Sequence, residues 1–145
     1  MKQTTILTAC ILFFSMLAVS CHNSDDDVLL TNTDITQIIT QDNGWKVSYY
    51  WDKDKDETND FSGYVFYFRS TGTFEATHNG TTTSGTWQVR NSSDSSQRLV
   101  LSSGTTAKPL KDVDDDWIIL EMNDNSIKLK DDNTEHLEEL YFERI

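Results

Sequence analysis

The chain has few of the residues that covalent and metal chemistry require. Its 145 residues include two cysteines, three histidines and one proline. Cys10 lies in an N-terminal apolar run and Cys21 follows that run, so the rest of the chain has no thiol for a disulfide or a nucleophile. His22, His78 and His136 are too scattered for zinc-ligand spacing, and no phosphate-binding glycine loop or nucleophile elbow is present. We therefore predict that the protein is not an enzyme and uses no cofactor.

Positive charge is also scarce. The sequence has 12 lysines and arginines against 24 aspartates and glutamates, which gives a net charge of −12 at pH 7. A protein this acidic repels nucleic acid and anionic lipid headgroups. We expect no nucleic-acid partner, and attachment to a membrane would have to use something other than a basic surface.

The first residues have the pattern of a secretory signal. One lysine precedes an apolar run over residues 6–19, which is shorter than the roughly 20 residues that a membrane-spanning helix needs. The small residues Ala18 and Ser20 lie directly before Cys21 and suit a signal peptidase. We predict that residues 1–20 are a cleaved signal peptide.

The residues around the cleavage position resemble those of bacterial lipoproteins, in which the cysteine matching Cys21 is acylated and becomes the mature N-terminus. The acidic run that follows consists of Ser24, Asp25, Asp26 and Asp27. It resembles the export signal of surface lipoproteins of the Bacteroidota. The resemblance implies an outer-membrane protein anchored by its acyl chains and facing the cell exterior, with residues 21–32 as an acidic tether. An ordinary solvated leader is the alternative for the acidic run.

The remainder, residues 33–145, suits one domain. Isoleucines at 35, 38 and 39 predict a short helix over residues 34–40, capped by Thr33 or Asp34 and ended by Gly44. After that glycine the apolar period is two, which indicates strands. Eight strands are predicted, over residues 45–51, 61–69, 73–78, 83–90, 98–102, 117–122, 126–130 and 137–144. Turn signals separate them, and Asn79-Gly80 is the strongest hairpin signal.

Consecutive strands with turn signals predict a closed barrel, because closure removes unpaired strand edges. The predicted fold is all-β: an up-and-down antiparallel β-barrel of about eight strands, preceded by a short N-terminal helix. The patterns Gly44-Trp45, Gly85-Thr86-Trp87 and Leu140-Tyr141-Phe142 resemble the lipocalin-like domains of Bacteroidota lipoproteins. From its position at the start of the first strand, and from this resemblance, we expect Trp45 to close one end of the barrel.

The barrel interior suggests a first function, because eight strands enclose a space that is filled by side chains or holds one small ligand. On the first strand, alternation places one set of residues on the same face: Trp45, Val47, Tyr49 and Trp51. The candidate lining for a small apolar or amphipathic ligand is Tyr49, Phe66, Trp87 and Trp117.

The alternative is a solid barrel that contacts a protein or glycan through its loops or outer face. In that case Tyr50, Trp51 or Tyr67 could stack on sugars. Solvent exposure of these aromatic residues separates the two functions.

One acidic loop partly resembles a calcium site. Asp52, Asp54 and Asp56 have the spacing of the first three ligands of a calcium-binding loop. The sixth position is Glu57 instead of glycine, and the twelfth is Gly63 instead of a bidentate glutamate. We therefore expect a solvated, lysine-neutralised loop and no metal, with weak calcium binding as the alternative.

Overall fold

The computed structural model describes residues 30–93 and 96–145, and antiparallel strands dominate it. The elements in chain order are α1 (Asn32–Ile39), β1 (Trp45–Asp52), β2 (Lys55–Asp56), β3 (Val65–Arg69), β4 (Thr73–His78), β5 (Thr81–Asn91), β6 (Gln97–Ser102), β7 (Asp115–Met122), β8 (Ser126–Lys130) and β9 (Glu138–Arg144). Two short 3₁₀ helices cover Thr58–Phe61 and Leu110–Val113.

The eight long strands form a closed barrel. From β3 to β9 each strand pairs with the next, and β1 pairs with both β3 and β9, which closes the ring. The predicted eight-stranded antiparallel barrel behind a short helix is confirmed. The two-residue strand β2 was not predicted; it forms a small hairpin with the end of β1. The predicted strand over residues 61–69 begins later, at Val65, because the residues before it form a 3₁₀ helix and a turn.

The helix begins earlier than the sequence prediction, at a capping box. The Thr31 hydroxyl accepts a hydrogen bond from the Asp34 backbone N–H at 3.2 Å, and the Asp34 carboxylate accepts one from the Thr31 backbone N–H at 2.9 Å. The predicted cap at Thr33 or Asp34 is therefore wrong. Ile35 and Ile39 are fully buried, so α1 packs its apolar side against the barrel.

Trp45 closes the barrel end that α1 covers, as expected. Its side chain is fully buried, and its indole N–H donates to the Ile39 carbonyl at 2.9 Å. The Arg144 guanidinium lies 4.0 Å from the centroid of the Trp45 ring and donates to the Ile38 carbonyl at 3.0 Å. A stacked cation and two bonds to the helix C-terminus thus hold α1 on this end.

A β-bulge at Ser48 changes the direction of the side chains in β1. Val47 pairs with Phe142 and Tyr49 pairs with Tyr141, so Ser48 has no pairing position in β9, although its hydroxyl donates to the Tyr141 carbonyl at 3.4 Å. Because the extra residue shifts the alternation by one, Tyr50 points inward and is only 1% exposed. The prediction that Tyr49 and Trp51 share the inner face of Trp45 and Val47 is therefore wrong.

The loop over residues 103–114 covers the opposite end of the barrel. Leu110 and Val113 of its 3₁₀ helix are buried, and the Trp117 indole N–H donates to the Val113 carbonyl at 2.9 Å. The Ser103 backbone N–H bonds to the Asp114 carboxylate, which ties the two ends of the loop together. Both ends of the barrel are thus covered by apolar side chains.

Candidate functional site

Aromatic side chains fill the barrel. Six of the largest side chains are less than 2% exposed: Trp45, Tyr50, Phe66, Phe74, Trp117 and Phe142. The Phe66 and Phe142 rings meet edge to face, with centroids 5.3 Å apart, and Phe68 meets Phe142 in the same way at 5.9 Å. These inward side chains occupy the space in which a small ligand would lie.

The residues predicted to line a ligand pocket do not surround a common cavity. Phe66 and Trp117 are core residues, and Trp87 is 7% exposed with its indole N–H bonded to the Arg69 carbonyl at 2.9 Å. Tyr49 lies on the outer wall. Ligand contact by the three core residues would require the core to open, and it stays a prediction.

Three aromatic residues form a patch on the outer wall that we call the aromatic platform: Tyr49, Trp51 and Tyr141. Tyr49 and Tyr141 are direct cross-strand partners with ring centroids 5.1 Å apart, and Tyr141 points outward because both its neighbours are fully buried. Trp51 follows on the same face of β1, and its indole N–H donates to the Lys53 carbonyl at 2.9 Å. All three side chains are partly exposed.

The chemistry of the platform is neutral and hydrogen-bonding. Loss of hydration raises the pKa of both the Tyr49 and the Tyr141 hydroxyl above the ordinary value of 10.0, and the negative charge of Glu139 adds to both shifts. Both hydroxyls therefore stay protonated at physiological pH. The Tyr141 hydroxyl bonds to the Glu139 carboxylate, whereas the Tyr49 hydroxyl can donate to a ligand. The two rings present flat apolar faces beside these donors.

Charged side chains border the platform in opposite-sign pairs. Lys46 lies 3.3 Å from Glu143, and Lys128, the cross-strand neighbour of Tyr141, lies 2.6 Å from Glu121. Exposed pairs of this kind contribute little to stability. Their effect here is a polar rim around an aromatic centre, which is the usual composition of a recognition surface.

A cleft opens in the outer wall of the barrel between β1 and β3, and we call it the wall cleft. β1 and β3 are paired only at Trp45 and Phe66, and beyond that pair the two strands separate. The cleft has a volume of about 270 Å³. Its lining includes Lys46, Thr58, Asn59, Phe61, Ser62 and Tyr64.

The sequence contained one signal for the wall cleft. Gly63 lies inside the segment predicted as a strand, and an isolated glycine there indicates a bulge or a break. In the structure Gly63 has φ +80° and ends the turn that lines the cleft. An L-residue with a side chain would be strained at this position.

The barrel end next to the loop of residues 103–114 is acidic. Burial, and then the negative charges of Asp52, Asp131 and Asp115, raise the pKa of Glu138 to about 7, while Lys53 opposes the shift. Burial also raises the pKa of Asp115 above its ordinary range. This end therefore holds carboxyl groups that resist ionisation.

The predicted calcium candidates lie in the β1–β2 hairpin at this end. Asp52 and Lys55 are backbone partners in this hairpin, and the Asp56 carboxylate accepts a hydrogen bond from the Thr58 backbone N–H at 2.9 Å. Among residues 30–93 and 96–145, no group of three or more histidine, cysteine, aspartate or glutamate side chains is arranged to hold a metal ion. Asp54 completes no such group, so the geometry does not support the calcium alternative.

The predicted anchor is not covered by the structure. Cys21 and the acidic run at residues 24–27 lie outside the described residues, so lipidation and export stay predictions. In the part of the chain that the structure does describe, no helix has the length and apolar character to cross a membrane.

The chain matches no protein-family model, no curated protein and no solved structure. The lipocalin-like and lipoprotein resemblance therefore stays an expectation. The closed eight-stranded barrel is an architecture that can bind ligands. What this barrel binds has to be inferred from the aromatic platform and the wall cleft.

Proposed function

We propose that the protein is a lipid-anchored binding module of the bacterial outer surface that binds a neutral carbohydrate on the outer wall of its barrel. The observation that carries this proposal is the aromatic platform. Tyr49, Trp51 and Tyr141 are partly exposed on adjacent strands, whereas the large aromatic residues of the interior are buried.

The platform suits the chemistry of a sugar ring. A pyranose has an apolar C–H face and a rim of hydroxyl groups, so it can stack on an aromatic ring while its rim forms hydrogen bonds. The Tyr49 and Tyr141 rings supply apolar faces with hydroxyl groups at their ends. Lys128 and Glu139 lie next to them as cross-strand neighbours of Tyr141 and Trp51 and supply a polar border.

The negative charge of the protein favours neutral over anionic carbohydrates. The net charge of −12 repels anionic partners in general, including sulfated and sialylated glycans. The two lysines beside the platform, Lys46 and Lys128, are each paired with a glutamate. A neutral glycan is therefore the partner with the least electrostatic opposition.

The interior is a less suitable place for a ligand than the outer wall. Phe66 and Trp117 are at most 1% exposed, and replacing packed core contacts by a ligand would first require a cavity to form. The proposed surface location supplies a reason for an outward site. A tether of about 10 residues extends at most about 35 Å, so an anchored barrel would present its wall close to the cell surface.

A printed array of neutral and acidic oligosaccharides, followed by calorimetry with the best-bound one, tests the carbohydrate proposal. We expect Tyr49→Ala and Trp51→Ala each to weaken binding about tenfold or more, because each removes one stacking surface. The matched control is Tyr67→Ala. Tyr67 was a sequence candidate for stacking on sugars, but it is a partly exposed tyrosine on β3, outside the platform, and the Arg69 guanidinium lies over its ring at 5.3 Å from the centroid. Absence of binding to every oligosaccharide, or wild-type affinity of both platform variants, would contradict the proposal.

The anchor is tested separately in bacterial cells. We expect the wild-type protein in the outer-membrane fraction and accessible to protease on intact cells, and the Cys21→Ser variant outside the membrane fraction. Replacing residues 24–27 by alanine should keep the protein in the membrane but protect it from external protease. Membrane association of Cys21→Ser would contradict lipid anchoring.

A further inference from the structure

We infer that the wall cleft is a second carbohydrate subsite, which holds one neutral sugar ring by hydrogen bonds while the aromatic platform stacks on another. This inference rests on the proposed function and names a site that the platform does not include. Its residues are Thr58, Asn59, Ser62 and Tyr64, with Phe61 as the apolar floor.

The cleft exists because the neighbouring strands β1 and β3 separate after a single paired position. β1 uses its other edge for an extended pairing with β9, from Trp45 to Asp52, but it pairs with β3 at one position only. The 3₁₀ helix Thr58–Phe61 and the turn after it line the resulting opening. A volume of about 270 Å³ is roughly nine times the ~30 Å³ share of a water molecule in the liquid, which is room for one pyranose ring.

The lining is neutral in a strongly acidic protein. No carboxylate lines the described cleft, and its one charged side chain, Lys46, is paired with Glu143 at 3.3 Å. The polar groups are an amide and hydroxyls, which both donate and accept hydrogen bonds. This composition fits a ligand that is rich in hydroxyl groups and carries no charge.

The side chains of Asn59 and Ser62 are available to a ligand. Both residues are exposed, and neither side chain forms a hydrogen bond with another described residue. The Thr58 hydroxyl is already engaged, because it accepts a hydrogen bond from the Tyr50 backbone N–H at 2.8 Å and bonds to the Asp56 carboxylate. The hydrogen-bonding groups that the cleft offers to an occupant are therefore the Asn59 amide and the Ser62 hydroxyl.

Ring contacts form the aromatic side of the cleft. Tyr64 stacks on His78 with a centroid distance of 4.4 Å and a 14° interplanar angle, and it meets Phe61 edge to face at 6.3 Å. A Cβ at Gly63 would approach the His78 ring to 3.2 Å, so glycine lets the turn lie close to this stack. Aromatic side chains beside a small number of polar groups are the usual layout of a small-molecule site.

The cleft and the platform share one strand. Lys46 lines the cleft, and its partner Glu143 lies two residues after Tyr141 of the platform in β9. A neutral oligosaccharide that crosses the outer face of β1 can therefore contact both.

The test is titration calorimetry with the neutral oligosaccharide that binds best on the array, using the full-length mature chain. We expect the double variant Asn59→Ala with Ser62→Ala to bind about tenfold more weakly, because two hydrogen bonds are lost. Its melting temperature should match the wild type, since both side chains are exposed. The control is Ser84→Ala, an exposed serine on β5, which should bind as the wild type does.

The outcomes separate this inference from the proposed function. Wild-type affinity of the Asn59 and Ser62 double variant, together with weak binding of the Tyr49 and Trp51 variants, overturns the cleft subsite and leaves the platform in place. Tighter binding of acidic than of neutral oligosaccharides also overturns the subsite. Absence of binding to any oligosaccharide overturns both proposals.

Discussion

The two faces of β1 differ in how far their aromatic side chains are exposed to solvent. Trp45 and Tyr50 point inward and are at most 1% exposed, whereas Tyr49 and Trp51 lie on the outer wall and are partly exposed. A single bulged residue, Ser48, separates the two arrangements. The described aromatic residues of β1 therefore divide into those that fill the barrel and those that are partly exposed on its outer wall.

The inner and outer aromatic residues also differ in how much they contribute to the free energy of unfolding. A fully buried aromatic side chain removes a large apolar area from water and packs on several neighbours, so its truncation costs several kcal/mol. An aromatic residue on the wall keeps part of its surface in water and contributes little to folding. The wall residues can therefore be changed to test function without unfolding the protein, and the inner ones cannot.

Tyr50→Asp should have the largest effect, because it places a carboxylate at a position that the bulge turns inward. Tyr50 is 1% exposed and its ring meets Phe61 edge to face at 5.3 Å, so the variant loses packing and buries a charge without a partner. We expect a loss of more than about 5 kcal/mol in the free energy of unfolding, enough to abolish cooperative folding. Circular dichroism during thermal melting measures this. Tyr49→Asp, on the outer wall, is the control; a Tyr50→Asp variant that melts like this control would refute the assigned directions.

The comparison of Trp117→Ala with Trp51→Ala should give the next largest difference. Trp117 is fully buried, and its loss should cost about 3–5 kcal/mol in urea-induced unfolding. The variant also leaves the Val113 carbonyl without its indole donor. Trp51→Ala should cost less than about 1 kcal/mol, since the residue is partly exposed. Equal losses in the two variants would contradict the division into inner and outer residues.

Glu138→Gln should produce a smaller, pH-dependent effect. The pKa of this carboxyl rises from 4.5 to about 7 on folding, so its stability contribution is present below pH 4.5 and lost as the pH rises to 7. Because solvent screens this partly exposed group, the loss should be about 1–2 kcal/mol. We expect the variant and the wild type to be equally stable at pH 4, and the variant to be more stable at pH 8. Urea unfolding at both pH values checks this, and a variant less stable than wild type at pH 8 would contradict the assignment.

Calcium should have the smallest effect. Asp52, Asp54 and Asp56 lie on a hairpin where they do not converge, so adding calcium after chelator treatment should change the melting temperature by less than about 1 °C. A saturable rise in melting temperature with calcium concentration that disappears in Asp54→Asn would show instead that the β1–β2 hairpin holds a metal ion.

The sequence was sufficient to predict the architecture because its signals are local and repeated. Alternating apolar residues such as Phe66 and Phe68, or Ile127 and Leu129, identify strands, and the short turns between them favour antiparallel neighbours. Closure follows because a flat sheet would leave exposed edges. The position of Trp45 at the first residue of β1 was enough to predict its role at the barrel end.

The candidate site was less predictable for physical reasons. Tyr49, Tyr50 and Trp51 are consecutive aromatic residues, so composition alone does not indicate which of them point inward. A bulge depends on the pairing with β9, which is distant in sequence. The wall cleft likewise depends on two strands that part, and the capping box at Thr31 uses an aspartate where the usual pattern has glutamate or glutamine.

In the proposed function the outer wall of the barrel contacts the ligand and the inner aromatic residues do not. The four tryptophans of the chain each give one indole N–H signal in a ¹H–¹⁵N spectrum, and Trp45, Trp87 and Trp117 are at most 7% exposed while Trp51 belongs to the platform. During titration with the best-bound neutral oligosaccharide, we predict that the Trp51 signal shifts progressively and the other three stay in place. A shift of the Trp87 or Trp117 signal with an unchanged Trp51 signal would contradict binding on the outer wall and place the ligand inside the barrel.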